Sequence, residues 1–77
     1  MTAPTLFPAD PSATDIEWMR AKVRERGFRD ATDLQLTVLW TAADRDRRMA
    51  VEAFCWVADG HGGQPYEPLR RRVERRL

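Results

Sequence analysis

A chain of 77 residues is too short to bury two separate apolar cores, so the sequence predicts a single domain. Its one cysteine and one histidine exclude an internal disulfide and the standard structural zinc sites, which leaves apolar packing as the source of stability. The net charge of +1 is small, but acidic and basic residues are segregated along the chain, and twelve of the thirteen basic residues are arginine.

The first segment, residues 1–12, carries three prolines, which disfavour a helix, and is predicted to be an extended arm. Within it Leu6 and Phe7 form an apolar pair expected to lie across the domain or across a partner. The segment lacks the positive start and apolar middle of a signal peptide. No apolar run approaches the ~20 residues that cross a bilayer, so no membrane contact is expected. A single thiol is typical of a reducing compartment, and the expected location is the cytoplasm, that of the host cell if the chain is phage-encoded.

Helix 1 is predicted over residues 14–26, because Thr14 and Glu17 fit a capping box and Gly27 suits the position just beyond a helix end. Its core stripe consists of apolar residues at helical spacing: Ile16, Met19 and Val23. Trp18 falls on the far side of this stripe, at about 200° from the first of these residues. Either the N-terminal arm packs over Trp18, or the indole is an exposed aromatic anchor for a partner.

The second predicted element covers residues 33–40, with capping residues at Asp30 and Asp33 or at Thr32 and Gln35. The alternation of apolar and polar side chains here resembles a strand, whereas a helix of this sequence would be apolar on nearly every side. A helix is favoured, because no other segment reads as a partner strand. The run 35–40 is also similar, in an imperfect order, to the glutamine-plus-apolar peptides that dock in DNA sliding clamps.

Helix 3, over residues 42–58, is predicted to be the central helix of the domain. Thr41 and Asp44 are its expected capping residues, and Arg48 and Glu52 are spaced to form an ion pair along the helix. One broad face is predicted to form the core: Met49, Ala50, Ala53, Phe54, Trp56 and Val57. A glycine-rich stop follows.

The last predicted helix, residues 66–76, begins near Pro65 and Pro68, which are tolerated in a first turn. It has a narrow apolar stripe flanked by five arginines. The predicted fold is therefore all-α, a small bundle of three to four short helices around residues 42–58, with the proline-rich arm extended.

Catalytic equipment is missing from this pattern. Cys55 is expected at the polar edge of helix 3 with no base beside it, and His61 lies in a glycine loop. Asp44 and Asp46 are better explained as helix-start residues than as acid–base or metal-binding groups. The loop after helix 3 also lacks the lysine of a P-loop. The sequence predicts no enzyme, no cofactor and no metal site.

The remaining interpretation is a protein-binding module. Phe7, Trp18 or the outer face of helix 2 would supply the apolar anchor, while Arg70, Arg71 and Arg75 would contact an acidic surface of a larger protein or protein–nucleic-acid complex. An inhibitor or adaptor acting by occlusion fits these features. In size and composition the chain is similar in type to the accessory proteins of phages and mobile elements, anti-CRISPR proteins among them, although no family pattern covers these residues.

Two alternatives remain open at this point. A small helical DNA- or RNA-binding regulator would use the basic end of helix 1 together with helix 4, provided that the two basic groups converge in space. A homodimer would instead use excess apolar surface on helix 2, namely Leu36, Leu39 and Trp40. The abundance of arginine alone is better explained by a GC-rich genome than by recognition of carboxylate or phosphate.

Overall fold

The structure, a computed structural model, describes residues 11–61 and 63–75. These residues form four α-helices and no strand: α1 (Ala13–Glu25), α2 (Asp33–Ala42), α3 (Arg47–Ala58) and α4 (Glu67–Glu74). The all-α fold class is confirmed, and the ambiguous second element is a helix. None of these helices is both long enough and apolar enough to cross a membrane.

Short-range sequence signals set both ends of α1. Ser12, rather than the predicted Thr14, is the capping residue, and its hydroxyl accepts a hydrogen bond from the Asp15 amide at 3.1 Å. At the other end Gly27 has φ +95°, as predicted. The Phe28 amide then donates to the Val23 carbonyl at 2.9 Å, which closes the helix in a Schellman motif.

The start of α2 is a complete capping box. The Gln35 amide donates to the Thr32 hydroxyl at 3.1 Å, and the Thr32 amide donates to the Gln35 side chain at 2.9 Å. Two amides that would otherwise lack partners are satisfied in this way. This was one of the two capping arrangements that the sequence offered.

The predicted start of helix 3 at residue 42 is wrong, because α2 continues to Ala42 and α3 begins only at Arg47. The intervening turn places Asp44 and Arg45 in the left-handed region, with φ of 58° and 68°. The Arg45 amide donates to the Trp40 carbonyl at 2.8 Å, which ends α2 as a Schellman motif usually does. An aspartate therefore occupies the position that glycine normally fills.

Asp46, not Thr41 or Asp44, caps α3. One of its carboxylate oxygens accepts from the amides of Arg48 and Met49, each at 3.1 Å. The predicted capping residues belong instead to the last turn of α2 and to the turn that follows it.

The core lies where α1, α2 and α3 meet. Its main cluster is formed by buried side chains from these helices and from the α1–α2 loop: Met19, Val23, Ala31, Leu36, Trp40, Ala50, Val51 and Cys55. The predicted core face of helix 3 is therefore partly wrong. Cys55 is 1% exposed rather than at a polar edge, whereas Val57 is 70% exposed rather than buried.

Contacts at both ends fix the direction of α4. Near its start, the Trp56 indole N–H donates to the Gln64 carbonyl at 2.8 Å, and the Tyr66 ring lies 5.9 Å from the Trp56 ring. Near its end, the Arg72 guanidinium donates to the Ala43 carbonyl at 2.9 Å. Since Trp56 is near the end of α3, α4 runs antiparallel to α3, and its C-terminal end lies against the α2–α3 turn.

Candidate functional site

Trp18, one of the predicted contact residues, is half-buried and packs against the core. The Arg47 guanidinium carbon lies 4.4 Å from the centre of the Trp18 ring, in a cation–π contact, and Arg47 is itself paired with Asp15 at 3.2 Å. The Lys22 ammonium lies 5.5 Å from the same ring. Much of the indole is therefore occupied by contacts within the chain, and Trp18 is not a bare anchor.

A pocket of about 470 Å³ opens beside Trp18, between α1 and α3. Most of the charged side chains that line this pocket form ion pairs with one another. Arg26 donates to Glu52 at 2.9 Å, a hydrogen bond that raises the pKa of the Arg26 guanidinium, and Lys22 lies 3.7 Å from Glu25. Arg48, the remaining cation of the pocket, does not pair with Glu52 as the sequence predicted. Opposed charges give this pocket little net field for an ionic ligand.

The predicted arginines of the last helix fall into two groups. Arg70 donates to Glu67 at 3.0 Å and to Glu74 at 3.1 Å, and the hydrogen bond to Glu67 raises the pKa of its guanidinium. Arg71 and Arg75 are exposed and have no ion pair or hydrogen bond from their side chains to the described residues. Of Arg70, Arg71 and Arg75, the last two are therefore available to a partner without breaking a pair among the described residues. Phe7, the other predicted contact residue, lies outside the described residues.

The structure reveals an apolar groove beside the outer face of α2, one of the apolar anchors that the sequence offered. Leu34, Val38 and Val57 are 73%, 56% and 70% exposed, respectively, and they form its outer rim. We call this the α2–α3 groove. It has a volume of about 460 Å³ and is completed by neighbouring side chains: Gln35, Leu39, Phe54 and Ala58.

The location of this groove corrects the predicted homodimer surface. Leu36 and Trp40, two of the three residues expected to be in excess, are 0% and 6% exposed and belong to the core. Leu39 alone of the three lines the groove. The available signal was the apolar character of α2 on nearly every side, which required one face to remain uncovered in so small a bundle.

Cys55 and His61, two of the residues considered for chemistry, lie in different environments. Burial raises the pKa of the Cys55 thiol, which disfavours the reactive thiolate. His61 stacks on Trp56, with ring centres 3.6 Å apart and planes 10° from parallel. Among residues 11–61 and 63–75, no group of three or more histidine, cysteine or acidic side chains is arranged to hold a metal ion.

The two basic groups that a nucleic-acid regulator was expected to combine do not meet. Within the described part of the chain, α1 and α4 share no contact. Most cations near the end of α1 are also paired, including Arg20 with Asp33 and Arg26 with Glu52. The condition set by the sequence for joint use of these groups is therefore not met.

Comparison with known proteins adds no assignment. No protein-family model, curated protein or solved structure matches the chain. The geometry of the α2–α3 groove and the distribution of unpaired charge are therefore the basis of the functional argument.

Proposed function

We propose that this chain is a non-enzymatic protein-binding module, acting as an inhibitor or adaptor, whose principal contact is the α2–α3 groove. The main evidence is that Leu34, Val38 and Val57 are exposed on one continuous apolar surface. Scattered exposed aliphatic residues are ordinary, but a contiguous apolar surface on a small chain indicates an interaction site.

The groove fits one class of occupant, an amphipathic helix of a larger protein. Leu34 and Val38 are one turn apart on α2, and Phe54 and Val57 are three residues apart on α3, so the walls are two parallel rows of apolar side chains. A helix laid between such rows can insert residues at i, i+3 or i+4, and i+7. The carbonyl and amide groups of both walls are already used within α2 and α3, which favours side-chain packing over strand addition.

A second copy of the chain is a weaker candidate for the groove. Three partly exposed aliphatic side chains offer on the order of a few hundred Å². A stable homodimer usually buries about 800 Å² on each partner. A larger protein can extend its contacts beyond the groove and so reach this area.

The contribution of the groove follows from the exposed fractions. Complete burial of a leucine or valine side chain contributes about 2 kcal/mol. Weighted by exposures of 73%, 56% and 70%, the three rim residues contribute about 4 kcal/mol on docking. Their loss is expected to weaken binding about 1000-fold.

The test compares affinity purification from the source cells with wild type and with the double variant Val38→Lys, Val57→Lys. A protein retained by wild type and lost by the variant is then purified and titrated calorimetrically. The expected results are a Kd at least about 100-fold weaker for the variant and, for wild type, a negative heat-capacity change from apolar burial. The double variant Glu17→Gln, Arg24→Gln is the matched control, because both residues are exposed and distant from the groove.

Two results would overturn the proposal. In the first, wild type and groove variant bind the purified protein equally. In the second, light scattering shows a dimer that the groove variant converts to a monomer, since the occupant would then be a second copy. A thermal midpoint within a few degrees of wild type shows that each variant is folded.

A further inference from the structure

Four arginines without side-chain partners among the described residues lie at one end of the molecule, around the α2–α3 turn. Arg45 is in the turn itself, Arg48 is in the first turn of α3, and Arg71 and Arg75 are near the end of α4. All four are exposed. We call them the turn-end arginines.

The anchoring of α4 brings these residues together. Arg72 donates to the Ala43 carbonyl at 2.9 Å and to the Asp46 carboxylate at 3.3 Å, so the last turns of α4 lie against the α2–α3 turn. Arg71 and Arg75 are separated by four residues and therefore share one stripe of α4, beside the stripe that carries Arg72. Four sequence positions spread over 31 residues thus converge on one end.

Nearby acidic groups leave this charge largely uncompensated. Asp46 already caps α3 and pairs with Arg72, and Glu74 is engaged by Arg70. The acidic residues that line the Trp18 pocket together with Arg48 are also engaged, Glu25 by Lys22 and Glu52 by Arg26. Asp44 is the other acidic residue of the turn. The local excess of positive charge therefore persists although the whole chain carries only +1.

The residues at this end of the molecule favour a nucleic-acid backbone over an acidic protein as the negatively charged ligand. An interface with an acidic protein normally includes an apolar centre within a charged rim. The strongly exposed large apolar residues, Leu34, Val38 and Val57, line the α2–α3 groove, and Leu34 and Val57 are at the ends of α2 and α3 far from the turn. Binding to a nucleic-acid backbone needs no apolar centre, since the gain comes from neutralised phosphates and released counterions. Arginine is also the residue best matched to phosphate geometry.

We propose that the turn-end arginines form a binding surface for the phosphate backbone of duplex nucleic acid, separate from the protein-binding α2–α3 groove. Each guanidinium contacts one backbone phosphate, and the surface reads no base sequence. The site uses no α1 cation and therefore differs from the arrangement that the sequence predicted. The phosphate-binding surface and the α2–α3 groove are at opposite ends of the molecule, so a negative result for the first does not contradict the proposed function.

The test is fluorescence anisotropy of the full chain with a labelled 20-base-pair DNA duplex of arbitrary sequence, at salt concentrations from 20 to 200 mM. Four phosphate contacts predict a slope of about −3.6 for the logarithm of the binding constant against the logarithm of salt concentration. The double variants Arg45→Gln, Arg48→Gln and Arg71→Gln, Arg75→Gln should each reduce the magnitude of this slope by about 1.8. The quadruple variant should abolish measurable binding.

The matched control is Arg24→Gln, Arg29→Gln, which removes two exposed arginines without side-chain partners among the described residues, one in the last turn of α1 and one in the α1–α2 loop. It should leave the slope nearly unchanged. Binding by the quadruple variant equal to wild type would overturn the assignment, as would an equal loss of slope in the control. Equal affinity for polyglutamate of the same charge would also overturn it, because the surface would then select an acidic polypeptide rather than phosphates. Circular dichroism melts establish that each variant is folded.

Discussion

The capping role of Asp46 yields the sharpest test of the structure. Its side chain accepts two amide hydrogen bonds at the start of α3 and pairs with Arg72 of α4. Asp46→Ala removes the cap, which costs about 1–2 kcal/mol, and an ion pair between partly exposed groups, which contributes up to about 1 kcal/mol. The expected loss of unfolding free energy is therefore about 1–3 kcal/mol.

This loss is large for a domain of this size. A 77-residue chain is expected to have an unfolding free energy of about 4–11 kcal/mol, so the variant loses a substantial fraction of its stability. The thermal midpoint should fall by about 4–24 °C, measured by circular dichroism at 222 nm. Urea titration gives the free energy directly and shows whether the m-value is unchanged.

Two further variants separate the contributions. Asp46→Asn retains a good capping side chain and loses only the charge that pairs with Arg72, so its loss should stay below about 1 kcal/mol. Thr41→Ala alters the residue that the sequence favoured as the cap, but Thr41 is exposed within α2, and a change within about 0.5 kcal/mol is expected. If Thr41→Ala destabilised the chain as much as Asp46→Ala does, the observed start of α3 would be refuted.

Three other changes test the core, the turn and the thiol. Leu36→Ala should cost about 2–5 kcal/mol in urea titration because Leu36 is fully buried, whereas Leu34→Ala should cost under about 0.5 kcal/mol; equal losses would contradict the assignment of faces on α2. Arg45→Gly should stabilise the chain by up to about 1 kcal/mol, since it relieves a left-handed conformation at some cost in chain entropy, and a clear loss in the thermal midpoint would oppose this. Burial raises the pKa of the Cys55 thiol in the folded chain, so its stabilising contribution is present below the unfolded pKa of about 8.5 and is lost as pH rises. Urea midpoints between pH 7 and 10 should fall more in wild type than in Cys55→Ala; an identical fall would exclude this role for the thiol.

Features encoded within a few residues could be predicted from the sequence. The capping box of Thr32 and Gln35 and the left-handed Gly27 depend only on neighbouring backbone groups, and both occur as expected. The α2–α3 turn misled the prediction because Asp44, with its positive φ, fills a position for which glycine is the usual signal. A threonine and an aspartate at this point resemble a helix start, although they belong to a helix end.

The candidate site depends on contacts between distant parts of the chain, which local patterns do not encode. Arg47 covers Trp18 only because the first turn of α3 lies beside α1, and Arg70 is neutralised by acids on its own helix. The amphipathic period identified Met19 and Val23 correctly as core. It could not decide which face of α2 would remain open, because nearly all faces of that helix are apolar.

The docking of α4 decides that question. Tyr66 contacts Trp56 at one end of α4 and Arg72 reaches Ala43 at the other, so α4 covers the side of α3 that carries Trp56. The adjacent side, about 100° round α3, carries Val57 and is left uncovered. An α4 docked over Val57 would close the groove and would also carry its arginines away from the α2–α3 turn. One packing choice therefore produces both the exposed apolar groove and the basic end, which explains why the two surfaces lie at opposite ends of the same helix pair.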